Sequence, residues 1–149
     1  MSLQVKVMDA MKEAMKSKDK IALESLRAIK SSILLAQTES GASLELSEDA
    51  EIKLLQKLVK QRKESANLYI NQGRTDLAEP ELAQAAVIEK FLPEQIGMDE
   101  LKTLIADIIK STGASSMQDM GKVMGLASQK LGGKADGKSI STVVKELLS

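Results

Sequence analysis

Residues 52–69, IKLLQKLVKQRKESANLY, carry the strongest structural signal in the chain. Apolar side chains recur there at steps of three and four, with Arg62 in the same register. These residues are Ile52, Leu55, Val59, Arg62, Ala66 and Tyr69. Such steps place side chains on one face of an α-helix, which has about 3.6 residues per turn. The stretch therefore predicts a long amphipathic helix that ends near Gly73. Ser47, followed by Glu48 and Asp49, is a suitable N-cap for this helix.

The same periodicity extends on both sides of this helix. Before it, apolar spacing predicts a helix over residues 3–17 and a second over 19–40, with Asp19 as N-cap. Residues 41–46 are predicted to form a loop. After it, the pattern predicts a fourth helix over residues 75–91. Pro80 lies inside that pattern and removes one backbone donor, so we expect a kink or a later helix start there.

A domain boundary is predicted at residues 93–97, where Pro93 and Gly97 interrupt the helical pattern. We therefore expect an N-terminal helical domain over residues 1–92, a linker over 93–97 and a C-terminal domain over 98–149. The N-terminal domain should be a bundle or an array of hairpins.

Three shorter helices are predicted in the C-terminal domain. The first spans about residues 98–111 and is followed by Gly113 as a C-terminal cap. The second begins at Ser116, which with Asp119 approximates a capping box, and the third begins at the N-cap Asp136. No strand pattern stands beside these helices. The predicted fold class is all-α.

Composition restricts the functions that are open to this chain. Lysine and arginine number 21, aspartate and glutamate also 21, and histidine and cysteine are absent. Without histidine or cysteine the chain lacks the usual proton carrier near neutral pH and the commonest metal and thiolate chemistry. The only aromatic residues are Tyr69 and Phe91, too few for a base-stacking platform. We expect no catalytic residues, no cofactor and no metal.

The sequence shows neither a targeting pattern near its N-terminus nor a long apolar run. The expectation from this is a cytoplasmic protein without a membrane partner.

The long helix carries a basic stripe. Lys53, Lys57 and Lys60 stand at i, i+4 and i+7, and Lys63 lies close by. Such a stripe can contact phosphates through charge and position without reading sequence. The alternative is a solvated face of an exposed helix.

The C-terminal domain offers two further features. Gly121 and Gly125 are four residues apart and so share one helix face, although glycine in a helix costs about 1 kcal/mol relative to alanine. Either a ligand or a neighbouring helix is then expected to approach the backbone closely. Lys134 and Lys138 flank the Asp136 cap, where lysines and a helix N-terminus favour an anion. With Lys122, these residues are our candidates for RNA contact.

Several motifs together resemble the GatB/YqeY family. They are Phe91-Leu92-Pro93-Glu94-Gln95, Gly113-Ala114, Asp119-Met120-Gly121-Lys122-Val123-Met124 and Gly133-Lys134-Ala135-Asp136-Gly137. In the N-terminal half the resemblance to YqeY-like proteins rests on Leu26-Arg27, Lys60-Gln61-Arg62-Lys63-Glu64-Ser65 and Gly73-Arg74-Thr75-Asp76-Leu77. The resemblance covers almost the whole chain. One departure from it is Pro80, where an ordinary helix former is expected.

This resemblance implies that the C-terminal domain is similar to the tail of the B subunit of the tRNA-dependent amidotransferase, which helps to hold tRNA. The catalytic domains of that enzyme have no counterpart in 149 residues. The resemblance thus implies a non-catalytic accessory module associated with tRNA or another RNA. One alternative is an amidotransferase-related component, a carbon–nitrogen ligase with glutamine as amido donor, active only with other subunits. Another is a helical adaptor that binds a protein partner.

Overall fold

The computed structural model describes residues 2–39 and 46–149. These residues form seven α-helices: α1 (Leu3–Ser17), α2 (Lys20–Glu39), α3 (Glu48–Asn71), α4 (Thr75–Glu89), α5 (Met98–Thr112), α6 (Met120–Leu131) and α7 (Gly137–Leu148). A single 3-10 turn, Met117–Asp119, precedes α6. The predicted all-α class is confirmed. Two predictions concern residues outside the described part of the chain. These are the end of the second helix at Ser40 and the loop over residues 41–46, of which only Leu46 is described.

Contacts divide the chain into two compact units, Met1–Leu92 and Pro93–Ser149. Residues 93–97, which we interpreted as a linker, belong to the second unit. Gln95 Nε2 donates to the backbone oxygen of Gly133 over 2.8 Å, and Ile96 N donates to Lys134 O over 2.8 Å. This segment is therefore held against the turn between α6 and α7.

In the N-terminal unit, α3 and α4 form an antiparallel hairpin that packs on α2, and α1 packs on α2. Apolar residues from all four helices make its core, namely Leu3, Val7, Ala14, Leu26, Ile29, Ile33, Leu55, Leu58, Val59, Ala85 and Ile88. Arg62, which stands in the apolar register of α3, donates from Nε to Gln84 Oε1 over 3.1 Å. Gln84 in turn donates to Glu24 Oε2 over 3.1 Å. Two successive hydrogen bonds thus connect α3, α4 and α2.

In the C-terminal unit, α5, α6 and α7 pack against one another. Their buried faces form a separate core of Leu101, Ile105, Ile108, Val123, Ala127, Leu131, Ala135, Ile140, Val143, Val144 and Leu148. Helices of 12 to 15 residues are only marginally stable alone, so this shared core is what maintains them.

Helix ends follow the predicted capping chemistry in most places. Asp19 Oδ1 accepts from Ala22 N over 3.0 Å, and Ser47 Oγ accepts from Ala50 N over 3.1 Å. Gly113 ends α5 in the left-handed conformation at φ 72°, which glycine adopts without a Cβ clash. Pro80 lies inside α4, which begins at Thr75, so a later start at the proline is wrong. Arg74 O already accepts from Leu77 N and Ala78 N and begins the helix before the proline.

The capping box predicted at Ser116 is wrong. Ser116 is extended but its side chain accepts no capping hydrogen bond. The 3-10 turn separates it from α6, and Asp119 Oδ2 instead accepts from Ser115 N over 3.1 Å. Asp136 behaves as predicted, since its Oδ1 accepts from Ser139 N at the start of α7 over 2.9 Å.

Asp136 and Ser116 should therefore differ in how much they contribute to the free energy of unfolding of the C-terminal unit. Asp136→Ala removes a capping bond and is expected to lower the stability of the C-terminal unit by about 0.5–2 kcal/mol. Ser116→Ala removes no such bond and serves as the matched control, with little change expected. Chemical denaturation of the two variants measures the difference. Equal losses would show that the Asp136 cap contributes nothing specific.

Candidate nucleic-acid interface

The outer face of α6 is open. Gly121 and Gly125 are both exposed. A Cβ placed on either one would meet nothing within 4 Å among the described residues. The alternative explanation for these glycines, a neighbouring helix packed against them, therefore has no counterpart in the described chain.

The opposite face of α6 explains why the helix forms in spite of its glycines. Val123, Ala127 and Leu131 repeat every four residues and are buried. Met120 and Met124 pack at the edge of the same core. Burial on one side and two bare glycines on the other leave a strip of accessible backbone, which we call the glycine face.

The three candidate lysines of the C-terminal unit are exposed, and among the described residues none forms an ion pair. Lys122 lies in the first turn of α6, Lys138 in the first turn of α7, and Lys134 in the turn between these helices. A helix of twelve residues is about 18 Å long. Lys122 and Lys134, at opposite ends of α6, are therefore too far apart for one phosphate and are spaced for separate phosphates of a chain.

Charge at the helix N-termini differs from helix to helix in both units. α5 of the C-terminal unit begins with Asp99 and Glu100, whereas α1 and α2 of the N-terminal unit have no acidic residue in the first turn. α6 and α7 have no acidic residue in the first turn. By contrast, α3 begins with Glu48, Asp49 and Glu51. A lysine near a helix N-terminus adds to the positive end of the macrodipole, so the site attracts anions more strongly. The Asp119 and Asp136 N-caps partly offset this charge.

The basic stripe of α3 is less uniform than its spacing predicts. Lys53 and Lys57 are exposed and form no ion pair with another described residue. Lys60 lies 4.0 Å from Glu64 on the next turn. Lys63 Nζ is 2.6 Å from Glu89 Oε1 and ties α3 to α4. Lys53, Lys57 and Lys60 thus share one exposed stripe, whereas Lys63 pairs with Glu89 of α4.

A further charged pair lies at the turn between α3 and α4. Arg74 donates from Nε and Nη2 to the two carboxylate oxygens of Asp76, over 3.1 and 2.9 Å. This pairing lowers the pKa of Asp76 and raises the pKa of Arg74. The small stabilisation that it gives is present above the ordinary aspartate pKa and is lost as pH falls through the lowered value. The arginine and aspartate of the Gly73-Arg74-Thr75-Asp76-Leu77 motif therefore pair with each other at this turn.

The described residues contain neither a cluster of acidic side chains suited to a metal ion nor a membrane-spanning helix. Across residues 2–39 and 46–149, no three acidic side chains come together in a way that would hold a metal ion. None of the helices in that part of the chain is long and apolar enough to cross a membrane.

Together these observations define a small all-α protein of two helical units, one of which presents open helix backbone beside unpaired lysines. A family model, described as Yqey-like protein, matches residues 4–148. The chain belongs to the YqeY-like protein family.

Curated relatives carry the name "Altered inheritance of mitochondria protein 41, mitochondrial". The protein of Pyrenophora tritici-repentis is 30% identical over 141 residues, 93% of this chain and 76% of the relative. That of Meyerozyma guilliermondii is 29% identical over 129 residues, covering 82% and 65%. That of Clavispora lusitaniae is 35% identical over 82 residues, covering 55% and 46%. For the last two, the aligned part is less than two thirds of the relative.

The names of these relatives contradict our expectation of a cytoplasmic protein, because all three are named as mitochondrial. That expectation rested on the lack of a targeting pattern near Met1. The relatives extend beyond the part that aligns with this chain, so the pattern of these few residues does not determine the compartment.

Proposed function

We propose that this protein is an accessory factor that holds tRNA or a related RNA through its C-terminal unit and carries out no chemistry on it. The glycine face is the contact surface in this proposal. Lys122, Lys134 and Lys138 supply charge for phosphates on either side of it. The resemblance of the C-terminal motifs to the amidotransferase tail supports the same assignment.

One observation carries the proposal, namely that Gly121 and Gly125 are bare in an otherwise well-packed helix. Gly125 lies in the interior of α6, where glycine costs about 1 kcal/mol relative to alanine, and Gly121 lies in the first turn, where the cost is smaller. No contact among the described residues explains that cost. A sugar–phosphate chain lying across α6 would explain it, because even a methyl group would hold such a chain away from the helix backbone.

The function is tested by filter binding of the full chain to tRNA at two salt concentrations, with mitochondrial tRNA among the probes. Three phosphate contacts predict roughly a 20- to 40-fold loss of affinity between about 50 and about 200 mM salt. Affinity that does not change with salt, or no binding at the lower concentration, would contradict the proposal.

Alanine at the two glycines should separate stability from binding. Gly121→Ala with Gly125→Ala is expected to stabilise the C-terminal unit by about 1 kcal/mol, mainly through Gly125 in the helix interior, because each Cβ enters open space. The same variant should bind tRNA more weakly. Thermal denaturation and filter binding measure the two effects. A more stable variant that binds as tightly as the original chain would show that RNA does not approach this face.

A further inference from the structure

A second surface of the C-terminal unit is a groove of about 860 Å³ between α5 and the end of α6. One wall is a stripe of α5 residues at i, i+4, i+7 and i+11, namely Glu100, Leu104, Asp107 and Ser111. Lys130 and Lys134 stand on the other wall, and residues 94–96 close one side. The groove is therefore acidic along α5 and basic along α6.

The charged side chains of this groove have no ionic partner among the described residues. Its five charged residues are exposed, namely Glu94, Glu100, Asp107, Lys130 and Lys134. Although both signs are present, none of the five forms an ion pair with any described residue. Opposite charges on the two walls therefore lie more than 4 Å apart, and a ligand in the groove can contact both walls.

The base of the groove is apolar. Ile108 and Leu131 from the core reach it, with 4% and 5% of their surfaces exposed. Leu104 and Ile96 are half-buried beside them. An occupant therefore needs an apolar ridge between its charged flanks.

The position of α7 indicates the shape of the occupant. On α5, Lys102 pairs with Glu146 of α7 over 3.5 Å. Lys102 is five residues before Asp107, which is about 140° around the helix. α7 therefore covers one flank of the buried α5 face and the groove follows the other. A helix laid in the groove would complete a four-helix arrangement.

We infer that this groove binds an amphipathic helix of a partner protein. The helix has an apolar ridge, basic residues on the flank that meets α5, and acidic residues on the flank that meets Lys130 and Lys134. Glu100 and Asp107 are seven residues apart, about 10.5 Å along α5. Basic residues at the same interval on a partner helix match them, and the charges also fix the direction in which that helix lies.

This site overlaps the RNA surface at one residue only. Lys130 follows Gly125 by five residues and so points about 140° away from the glycine face. Of the RNA candidates, Lys134 alone also lines the groove. Variants at Asp107 and Lys130 therefore test the groove while Lys122, Lys134 and Lys138 remain intact.

The test uses a synthetic helical peptide of about 18 residues with a leucine ridge, lysines on one flank and glutamates on the other. A control peptide has the same ridge and glutamates on both flanks. Fluorescence anisotropy with the full chain should give at least about tenfold tighter binding of the first peptide. Methyl NMR should place its contacts at Leu104, Ile108 and Leu131.

The second part of the test reverses single charges on the two walls of the groove. Asp107→Lys is expected to remove the preference for the two-sign peptide, and Lys130→Glu to weaken its binding by severalfold. Circular dichroism checks that both variants keep their helices. The inference is overturned if neither peptide binds, if both bind equally, or if the methyl shifts fall outside the groove. A dimer in sedimentation that this peptide does not dissociate would likewise overturn it, in favour of a second copy as occupant.

Discussion

Ile105→Ala is expected to unfold the C-terminal unit in moderate denaturant and to leave the N-terminal unit folded. Ile105 is completely buried in the core that α5, α6 and α7 share. Loss of its side chain should cost about 2–5 kcal/mol. A unit of roughly 60 residues has only about 3–9 kcal/mol of stability at typical values per residue. At the middle of these ranges the substitution removes a little more than half of the unit's free energy of unfolding, so the unit unfolds at a lower denaturant concentration.

The matched control is Ile88→Ala, at an equally buried position in the N-terminal core. It should have the reverse effect, with the C-terminal unit retained. Backbone amide spectra of the two variants in moderate denaturant report which set of residues loses its dispersed signals. If either substitution unfolds the whole chain in one step, the two units do not fold independently, and our division into domains fails.

The second large effect is expected from neutralising the lysines of the C-terminal unit. The variant Lys122→Gln, Lys134→Gln and Lys138→Gln should bind tRNA much more weakly, and similarly for different tRNAs, because phosphate contacts do not read sequence. The slope of log affinity against log salt should flatten by about 2–3, at about 0.7–0.9 for each lost contact.

The matched control removes three lysines from α3 by Lys53→Gln, Lys57→Gln and Lys60→Gln. Both variants lose the same charge, so a general electrostatic effect would weaken binding equally. A loss confined to the α3 variant would assign RNA contact to the basic stripe and exclude the C-terminal lysines.

Local chemistry allowed much of this fold to be predicted from the sequence. Asp19, Ser47, Gly113 and Asp136 act at helix ends as predicted. Each depends only on residues within about one turn, so neighbours in the sequence suffice to predict it. Ser116 failed because the chain inserts a 3-10 turn before α6, an alternative that the capping pattern does not distinguish.

Features that depend on distant residues were beyond the sequence. Spacing placed Gly121 and Gly125 on one face, but only the packed unit shows that this face is uncovered. Lys63 looked like part of the basic stripe, yet it pairs with Glu89 on another helix. The groove between α5 and α6 was missed entirely, because its two walls come from segments about 25 residues apart that packing brings together.

The position of bound RNA on the protein tests the central claim most directly. Isotope-labelled protein titrated with tRNA should show its largest amide shifts at Gly121, Lys122 and Gly125, with further shifts over residues 134–138. The amides of α3 should stay nearly unchanged. Shifts that fall along Lys53, Lys57 and Lys60 while the glycine face stays unperturbed would contradict the account.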